Sequence, residues 1–275
     1  MSAILVFENT SFKESGKSGV MTPDASGYYE VTLGAFGTAN SAGAYYPTDK
    51  VKKLFENSSE LMNRTQNGRL YGEWGHPKMD PGMTTRDYLV KLLIMHEENL
   101  SHHIKKLELH ENFKNADGSN CLGVIGWVKP YGPEEKRLQD AIDTPEQNCC
   151  FSLRSISLDS YEKSGRLVKN PVKIISWDLV GEPGIDVADK YHNPAIESRI
   201  STPENKVISV HQFTETDVLD AFNRATGYGV GLESALPALQ ELATSIGMGP
   251  LNSVAGDRRV NKDAKSIQKW MAWGR

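Results

Sequence analysis

The sequence predicts an α+β fold, with a strand-rich body over residues 1–190 and a linker plus mostly helical tail over residues 191–275. Three observations predict it. Segments of the first part are rich in β-branched and aromatic residues, as strands are. Three segments after residue 210 repeat apolar residues at helical spacing. From about residue 186, between these parts, the sequence becomes polar and irregular.

Strands of the body are predicted from successive segments of this kind. The first two lie at residues 3–8 and 28–36, separated by a loop rich in Gly, Ser and Pro. A long hairpin follows, with SHHIKKLELHENF and CLGVIGWVKP as its strands and NADGSN as its turn. CCFSLRSISL and PVKIISWDLVG are the last two predicted strands.

Helices are predicted where apolar residues recur at intervals of three and four. PTDKVKKLFENSSELMNR predicts one helix, with Thr48 or Asp49 as a candidate N-cap. MTTRDYLVKLLIMHEEN predicts a second helix, and PEEKRLQDAID, which begins with proline, predicts a third. The tail helices are predicted at TETDVLDAFNRATG, LESALPALQELATSIG and KDAKSIQKWMAW.

Composition and charge exclude several function classes. The net charge is −4 and the basic residues are scattered, so no nucleic-acid partner is expected. No apolar run approaches the roughly 18 residues of a membrane span, and the N-terminal segment lacks the basic region of a signal peptide. Cys121, Cys149 and Cys150 are too few for a disulfide framework, so we expect reduced thiols in a cytosolic compartment.

Four histidines lie close together in the sequence and raise the question of a metal site: His96, His102, His103 and His110. His102 and His103 would point to opposite faces of a strand, and no HExxH or cysteine pattern accompanies them. Solvated or hydrogen-bonded histidines are the better interpretation. We therefore expect neither a metal nor a cofactor.

His76 stands in a different setting, the segment RLYGEWGHP. Gly72, Gly75 and Pro77 constrain the path of the chain around it, and Trp74 supplies an apolar wall. A general base needs an imidazole held in one orientation near its proton donor, and such a turn can provide that orientation. A structural turn histidine with a hydrogen-bonded ring is the alternative.

Three serines lie in the predicted strand CCFSLRSISL. Ser152 falls near its beginning, and Ser155 and Ser157 lie on the opposite face. A serine becomes a nucleophile only with a base in hydrogen-bond reach and a third group that orients the base; otherwise it is a polar face residue. Arg154 is a charged residue within the same predicted strand. Its presence is explained if it positions a backbone that stabilises an oxyanion.

Asp178 is the candidate for the orienting group. It lies inside the otherwise apolar segment IISWDLVG, where an unpaired carboxylate would be costly. That cost predicts a partner. An imidazole and a Lys or Arg side chain both fit the sequence.

Together these segments resemble the prohead proteases of tailed bacteriophages, of the T4 type and its giant-phage relatives. RLYGEWGHP is similar to the segment that carries the family's catalytic histidine, and AIDTPEQNCCFSLRS to the segment that leads to its nucleophile. IISWDLVGEP and ENLSHHIKKLEL resemble two of the family's strands, and ANSAGAYYP resembles its Asn-rich loop more loosely. The family is distantly similar to the herpesvirus maturation protease.

The resemblance implies a herpesvirus-protease-like β-barrel core with surrounding helices over residues 1–190. It implies His76 as general base, Ser152 as nucleophile and Asp178 as the third member of the triad. It places Arg154 and Ser155 at the oxyanion support, although Ser155 stands where the phage enzymes usually have Gly. The tail, over residues 191–275, is not covered by the resemblance and is a candidate propeptide or assembly arm.

The resemblance also implies a serine endopeptidase that acts in the host cytoplasm, inside the assembling prohead. Its substrates would be scaffold, major capsid and internal head proteins, cleaved after Glu in small-x-Glu sequences. Self-processing is implied too, and Gly231-Leu232-Glu233 makes Glu233 a candidate cleavage site. An assembly role favours a homo-oligomer.

Three other functions remain open from the sequence. A cysteine peptidase would use Cys149 or Cys150 with His76. A capsid or scaffold component could keep the fold and lack the chemistry. A metal-dependent hydrolase would use the histidines from His96 to His110.

Overall fold

A computed structural model describes residues 3–10, 21–39, 43–56, 59–115, 118–147, 149–181, 211–227 and 235–251. For residues 3–10 only the backbone is described. The chain divides into two compact units. One contains Ser2–Met79 and Met95–Gln212, and the other contains Met1, Asp80–Ile94 and Phe213–Arg275. The boundary predicted at residues 190 and 191 lies outside the described residues and stays a prediction.

Strands predominate in the first unit. Within the described residues they are β1 (Ala3–Thr10), β2 (Tyr29–Phe36), β3 (Tyr71–Glu73), β4 (Leu100–Lys114), β5 (Asn120–Pro130), β6 (Cys150–Tyr161), β7 (Leu167–Val180) and β8 (His211–Phe213). The six strands predicted from the sequence are all present. The three-residue strands β3 and β8 were not predicted, because such short segments show no periodicity.

Two four-stranded sheets result, with the orders β7-β6-β1-β8 and β2-β5-β4-β3. The β1–β6, β6–β7, β2–β5, β4–β5 and β3–β4 pairs are antiparallel. The mixed class is therefore confirmed, but the described strands do not close into the predicted barrel. The sheets are linked by isolated bridges, Tyr45 to Val168 and Trp74 to Leu179. Strand β3 has three residues and is too short to extend the hydrogen-bond ladder of the second sheet as far as β7.

The core of this unit lies between the sheets and the helices packed on them. Val31, Val124, Val128, Phe151 and Trp177 are at most 1% exposed and belong to one apolar cluster. Burial of such apolar side chains contributes about 1.5–3 kcal/mol each, so this cluster stabilises the first unit. It also fixes β6 and β7, the two strands that carry Ser152 and Asp178.

The helices of the first unit are α1 (Thr48–Leu54), α2 (Glu60–Gln66) and α4 (Glu135–Asp143). The single helix predicted over α1 and α2 is wrong, because α1 ends at Leu54, with Phe55 as its C-cap, and Ser59 is the N-cap of α2. Its hydroxyl donates to the Leu54 carbonyl at 2.7 Å and accepts from the Met62 N–H at 3.2 Å. The N-cap of α1 is Pro47 rather than Thr48 or Asp49.

The second unit is helical where it is described. Helix α3 (Thr85–Leu93) packs on α5 (Glu215–Gly227), which packs on α6 (Leu236–Ser245). Tyr88 stacks on Phe213, and Arg224 binds Asp87 at 2.7 Å. Two of the predicted tail helices are thus present, and the third, at KDAKSIQKWMAW, lies outside the described residues. No helix of the described chain is long and apolar enough to cross a membrane.

Candidate active site

The pairing of β6 with β7 places Ser152 directly opposite Asp178. Opposed residues of antiparallel strands have Cβ atoms about 4.5–5.5 Å apart, so the two side chains are neighbours. Arg154, two residues further along β6, lies on the same face as Ser152. Ser152, Arg154 and Asp178 are at most 1% exposed. This buried polar face must be satisfied internally.

His76 is positioned by the segment that leaves β3. The Trp74 N–H donates to the Asn99 carbonyl at 2.8 Å, and the Gly75 N–H donates to the Leu179 carbonyl at 2.7 Å. Gly75 has φ +73°, a left-handed conformation that favours glycine. Because Leu179 follows Asp178 on β7, the bend carries His76 to the strand that presents the carboxylate.

The imidazole of His76 lies between Ser152 and Asp178. Its Nε2 is 2.5 Å from Ser152 Oγ, and its Nδ1 is 2.9 Å from Asp178 Oδ2. The His76 side chain is 19% exposed, whereas Asp178 is fully buried. Such a chain can move a proton from the serine to the imidazole while the carboxylate holds the ring.

Burial and neighbouring charges set the protonation of this group. Burial lowers the pKa of His76 and outweighs the opposing effect of Asp178, so the ring is neutral near pH 7. Burial alone would raise the pKa of Asp178, but Arg154 and His76 hold that pKa well below its usual range. A neutral imidazole beside an ionised carboxylate is the state in which the imidazole accepts a proton.

A buried ion cluster surrounds Asp178. Arg154 donates to Asp178 Oδ2 through Nε at 2.8 Å and to Oδ1 through Nη2 at 2.7 Å. Its Nη1 donates to Glu73 Oε1 at 3.3 Å. The Glu73 N–H donates to Asp178 Oδ1 at 3.1 Å, and the His96 N–H donates to Glu73 Oε1 at 2.8 Å. Arg154 thus faces two carboxylates, whereas the sequence predicted it at the oxyanion support.

Gly72 allows β3 to approach β7. A Cβ atom on Gly72 would lie 2.1 Å from the Trp177 carbonyl oxygen and 2.2 Å from His102 Cε1. His102 is fully buried and its Nδ1 is 2.9 Å from Ser101 Oγ. Burial lowers the pKa of His102 to about 4, so it is neutral near pH 7. Only glycine fits this approach.

The remaining candidates lie apart from this chain of contacts or have other surroundings. Ser155 is fully buried, and its Oγ has no hydrogen-bond partner among the described residues. Cys149 and Cys150 are buried thiols. His103 binds Tyr28 and Gly68. Across the described ranges, no group of three or more His, Cys, Asp or Glu residues could hold a metal.

Sequence reasoning did not predict that Glu73 and His96 belong to the hydrogen-bonded cluster around Arg154 and Asp178. Glu73 was part of the quoted segment RLYGEWGHP, but no role was given to it. The cost of burying a carboxylate, which drew attention to Asp178, applies equally to Glu73. The difference is that β3 was not predicted as a strand, so nothing in the sequence indicated that Glu73 is buried.

Comparison with known proteins gives the family. A model described as the peptidase S80 family matches residues 7–243. The chain belongs to the peptidase S80 family. This family, together with the phage relative described next, confirms the resemblance to phage prohead proteases stated from the sequence.

One relative and one solved structure show how far this S80 peptidase is similar to known proteins. The capsid maturation protease of Pseudomonas phage phiKZ is 37% identical over 188 residues, which are 67% of this chain and 68% of that protein. The solved structure of the capsid assembly protease of bacteriophage T4 is 16% identical and has a TM-score of 0.43. That match covers 65% of this chain and 98% of the T4 chain.

Proposed function

We propose that this S80 peptidase is a serine endopeptidase of phage prohead maturation, with Ser152, His76 and Asp178 as its catalytic triad. One observation carries the proposal: the continuous contact from Ser152 Oγ through the His76 ring to Asp178. The family supports the peptidase activity, and the name of the phiKZ relative supports the role in capsid maturation.

The mechanism follows from these distances. Ser152 Oγ attacks the scissile carbonyl carbon while His76 Nε2 removes its proton. Asp178 Oδ2 accepts a hydrogen bond from His76 Nδ1–H, fixes the tautomer and stabilises the imidazolium that forms. His76 then protonates the leaving amine, and water hydrolyses the acyl-enzyme by the same route. The oxyanion support implied by the family resemblance is proposed at Arg154 and Ser155.

The substrates proposed are the scaffold, major capsid and internal head proteins of the assembling prohead. Cleavage falls after Glu in small-x-Glu sequences, and the enzyme also processes itself. This processing takes place in the host cytoplasm, inside the assembling prohead. A role in assembly favours a homo-oligomer. No nucleic acid or membrane partner is proposed.

The direct test is cleavage of scaffold protein and of small-x-Glu peptides by the purified full chain. We expect Ser152→Ala and His76→Ala each to lower kcat/KM by a factor on the order of 10⁴–10⁶. Ser164→Ala is the matched control, because Ser164 is exposed on the turn between β6 and β7. Cleavage by the Ser152→Ala protein at the wild-type rate would contradict the proposal.

The same assay separates the rivals. A cysteine peptidase would lose activity in Cys149→Ala or Cys150→Ala, both of which we expect to stay active. A metal-dependent hydrolase would be inhibited by chelators, to which the serine mechanism is insensitive. A non-catalytic capsid or scaffold component would cleave none of the substrates in any variant.

A further inference from the structure

Glu73 is a buried carboxylate beside the proposed triad, and the proposed mechanism gives it no role. Its side chain is 2% exposed. Arg154 Nη2 lies 3.1 Å from Glu73 Oε2, and His96 Nδ1 lies 3.1 Å from Glu73 Oε1. The His96 backbone N–H also donates to Oε1. A carboxylate buried with so many partners is held in one place.

Arg154 connects Glu73 to Asp178. The guanidinium binds both oxygens of Asp178 through Nε and Nη2, at 2.8 and 2.7 Å. It reaches Glu73 through Nη1 and Nη2. Since Nη2 contacts both carboxylates, Glu73 restrains the same group that fixes the oxygens of Asp178. Asp178 Oδ2 is the atom that His76 Nδ1 contacts.

The charges of this cluster depend on Glu73. With neutral His76, the two carboxylates and the guanidinium sum to one negative charge. When His76 takes the serine proton, the matching negative charge passes to the oxyanion of the substrate, and the cluster itself becomes neutral. Without Glu73, the cluster would carry one net positive charge, opposed only by the oxyanion beyond Ser152, and an unbalanced charge in a buried cluster is costly. Asp178 alone cannot compensate, because Arg154 already neutralises it.

The effects of the neighbouring charges on the pKa of His76 have the signs that this charge balance requires. Burial is the largest influence and lowers the pKa of His76, and the Arg154 charge lowers it further. Asp178 and Glu73 both raise it. His102 adds no charge near neutral pH, because burial lowers its pKa to about 4.

The groups that face this cluster come from four elements and one loop. They are Ser152 and Arg154 on β6, Asp178 on β7, Glu73 on β3, His102 on β4, and His96, which precedes the 3-10 helix Glu97–Asn99.

We propose that Glu73 is a positioning residue of the reaction. Its carboxylate holds Arg154 against Asp178 and supplies the negative charge that balances protonated His76. The inference rests on the proposed function, because it assigns His76 the role of proton acceptor. Glu73 itself does not touch the substrate.

The test is the pH profile of Glu73→Gln in the full chain. Loss of the charge makes His76 harder to protonate, so the acid limb of kcat/KM moves to lower pH. We expect kcat to fall by a factor on the order of 10–100, as for other residues that orient a reacting group through a partner, and KM to stay unchanged. Glu111→Gln, at an exposed surface pair with Lys52, is the matched control and keeps the wild-type profile.

Glu73→Asp keeps the charge in a shorter side chain. We expect it to retain the acid limb at the wild-type pH, with a smaller loss of kcat than Glu73→Gln. If Glu73→Gln does not fold, Glu73→Asp alone decides, and a displaced acid limb in that variant would overturn the proposal. A folded Glu73→Gln protein with the wild-type acid limb and kcat would overturn it as well.

NMR titration of the histidine rings separates this inference from the proposed function, since it needs no activity. In a Ser152→Ala background, Glu73→Gln should move the titration of His76 to lower pH and leave that of His103 in place. An unmoved His76 signal refutes the role of Glu73 and leaves the triad standing. A moved signal, together with a protein carrying Ser152 that cleaves no substrate, refutes the triad instead.

Discussion

Asp178 is bound on one side by the guanidinium of Arg154 and on the other by the imidazole of His76. A carboxylate satisfied only by Arg154 would be a structural ion pair, and the sequence left that alternative open. Both partners are present in the structure. Asp178 therefore contributes to folding through Arg154 and, in our proposal, to catalysis through His76.

Replacement of Asp178 by Asn tests both contributions. Asn keeps the size of the side chain but removes the charge that stabilises the imidazolium, so we expect kcat to fall by a factor of about 10⁴. We also expect a loss of about 3–5 kcal/mol in the free energy of unfolding, because a buried ion pair is broken. Urea unfolding and a peptide assay measure the two effects.

Asp80→Asn is the control for that substitution. Asp80 is 59% exposed and forms a surface pair with Lys91, so we expect a change within about 0.5 kcal/mol and unchanged kcat. A folded Asp178→Asn enzyme within tenfold of the wild-type rate would show that Asp178 is structural only.

His102 predicts a dependence of stability on pH. Its pKa is about 4 in the folded protein, against about 6.5 in an unfolded chain. Because the folded pKa is the lower one, the stabilisation is complete above pH 6.5 and is lost as the pH falls towards 4. The loss from this one group amounts to about 3 kcal/mol.

Urea unfolding between pH 7 and pH 4 measures this loss. The variant His102→Asn removes the titrating ring, so its free energy of unfolding should fall less steeply over that range than that of the wild type. Equal pH slopes in the two proteins would mean that His102 does not titrate as described.

At the scale of elements, the site depends on the approach of β3 to β7. Gly72→Ala would place a Cβ atom 2.1 Å from the Trp177 carbonyl oxygen, so β3 must move. We expect a loss of about 1–3 kcal/mol or more in the free energy of unfolding. Glu73 and His76 come soon after Gly72 in the chain, so a shift of β3 would move both side chains. We therefore also expect kcat/KM to fall by at least about 100-fold, which is the order of the loss when reacting groups are misplaced.

Gly181→Ala is the matched control, because no described atom lies within 4 Å of its added Cβ atom. We expect wild-type stability and rate from it. If Gly72→Ala behaved like Gly181→Ala, the close approach of β3 and β7 would be incorrect.

How far the elements follow from the sequence depends on their length. The long strands β4, β5, β6 and β7 have enough periodicity to be predicted, and α4 has a clear apolar face and follows Pro133, which precedes its N-cap, Glu134. The Ser59 hydroxyl, which caps α2 and binds the Leu54 carbonyl, marks the break between α1 and α2, and sequence patterns do not distinguish it from other polar residues. Strand β3 is recognisable only from its pairing with β4.

At the scale of the whole molecule, the sequence points to three residues that the fold brings together, but not to the residues that support them. His76, Ser152 and Asp178 were chosen from local chemistry and from a family resemblance, and the fold brings them together across 102 residues of sequence. Glu73 was not chosen, because its burial depends on the sheet order. The barrel that the family resemblance implies is not closed by the described strands, since closure depends on long-range strand pairing.

Self-processing is a prediction about the whole chain. Glu233, the candidate cleavage site, lies outside the described residues. We expect mass spectrometry of the active protein to show a break after Glu233 that is absent from the Ser152→Ala and Glu233→Gln proteins. An intact chain in the active enzyme would exclude the site.

The most direct test of the central claim is to label the purified full-length protein with a fluorophosphonate and locate the adduct by mass spectrometry. The Ser152 hydroxyl, activated by His76, should displace fluoride and form one phosphonylated product at Ser152, with loss of proteolytic activity. His76→Ala should form none. An active enzyme that is labelled elsewhere, or that stays active without an adduct at Ser152, would contradict the account.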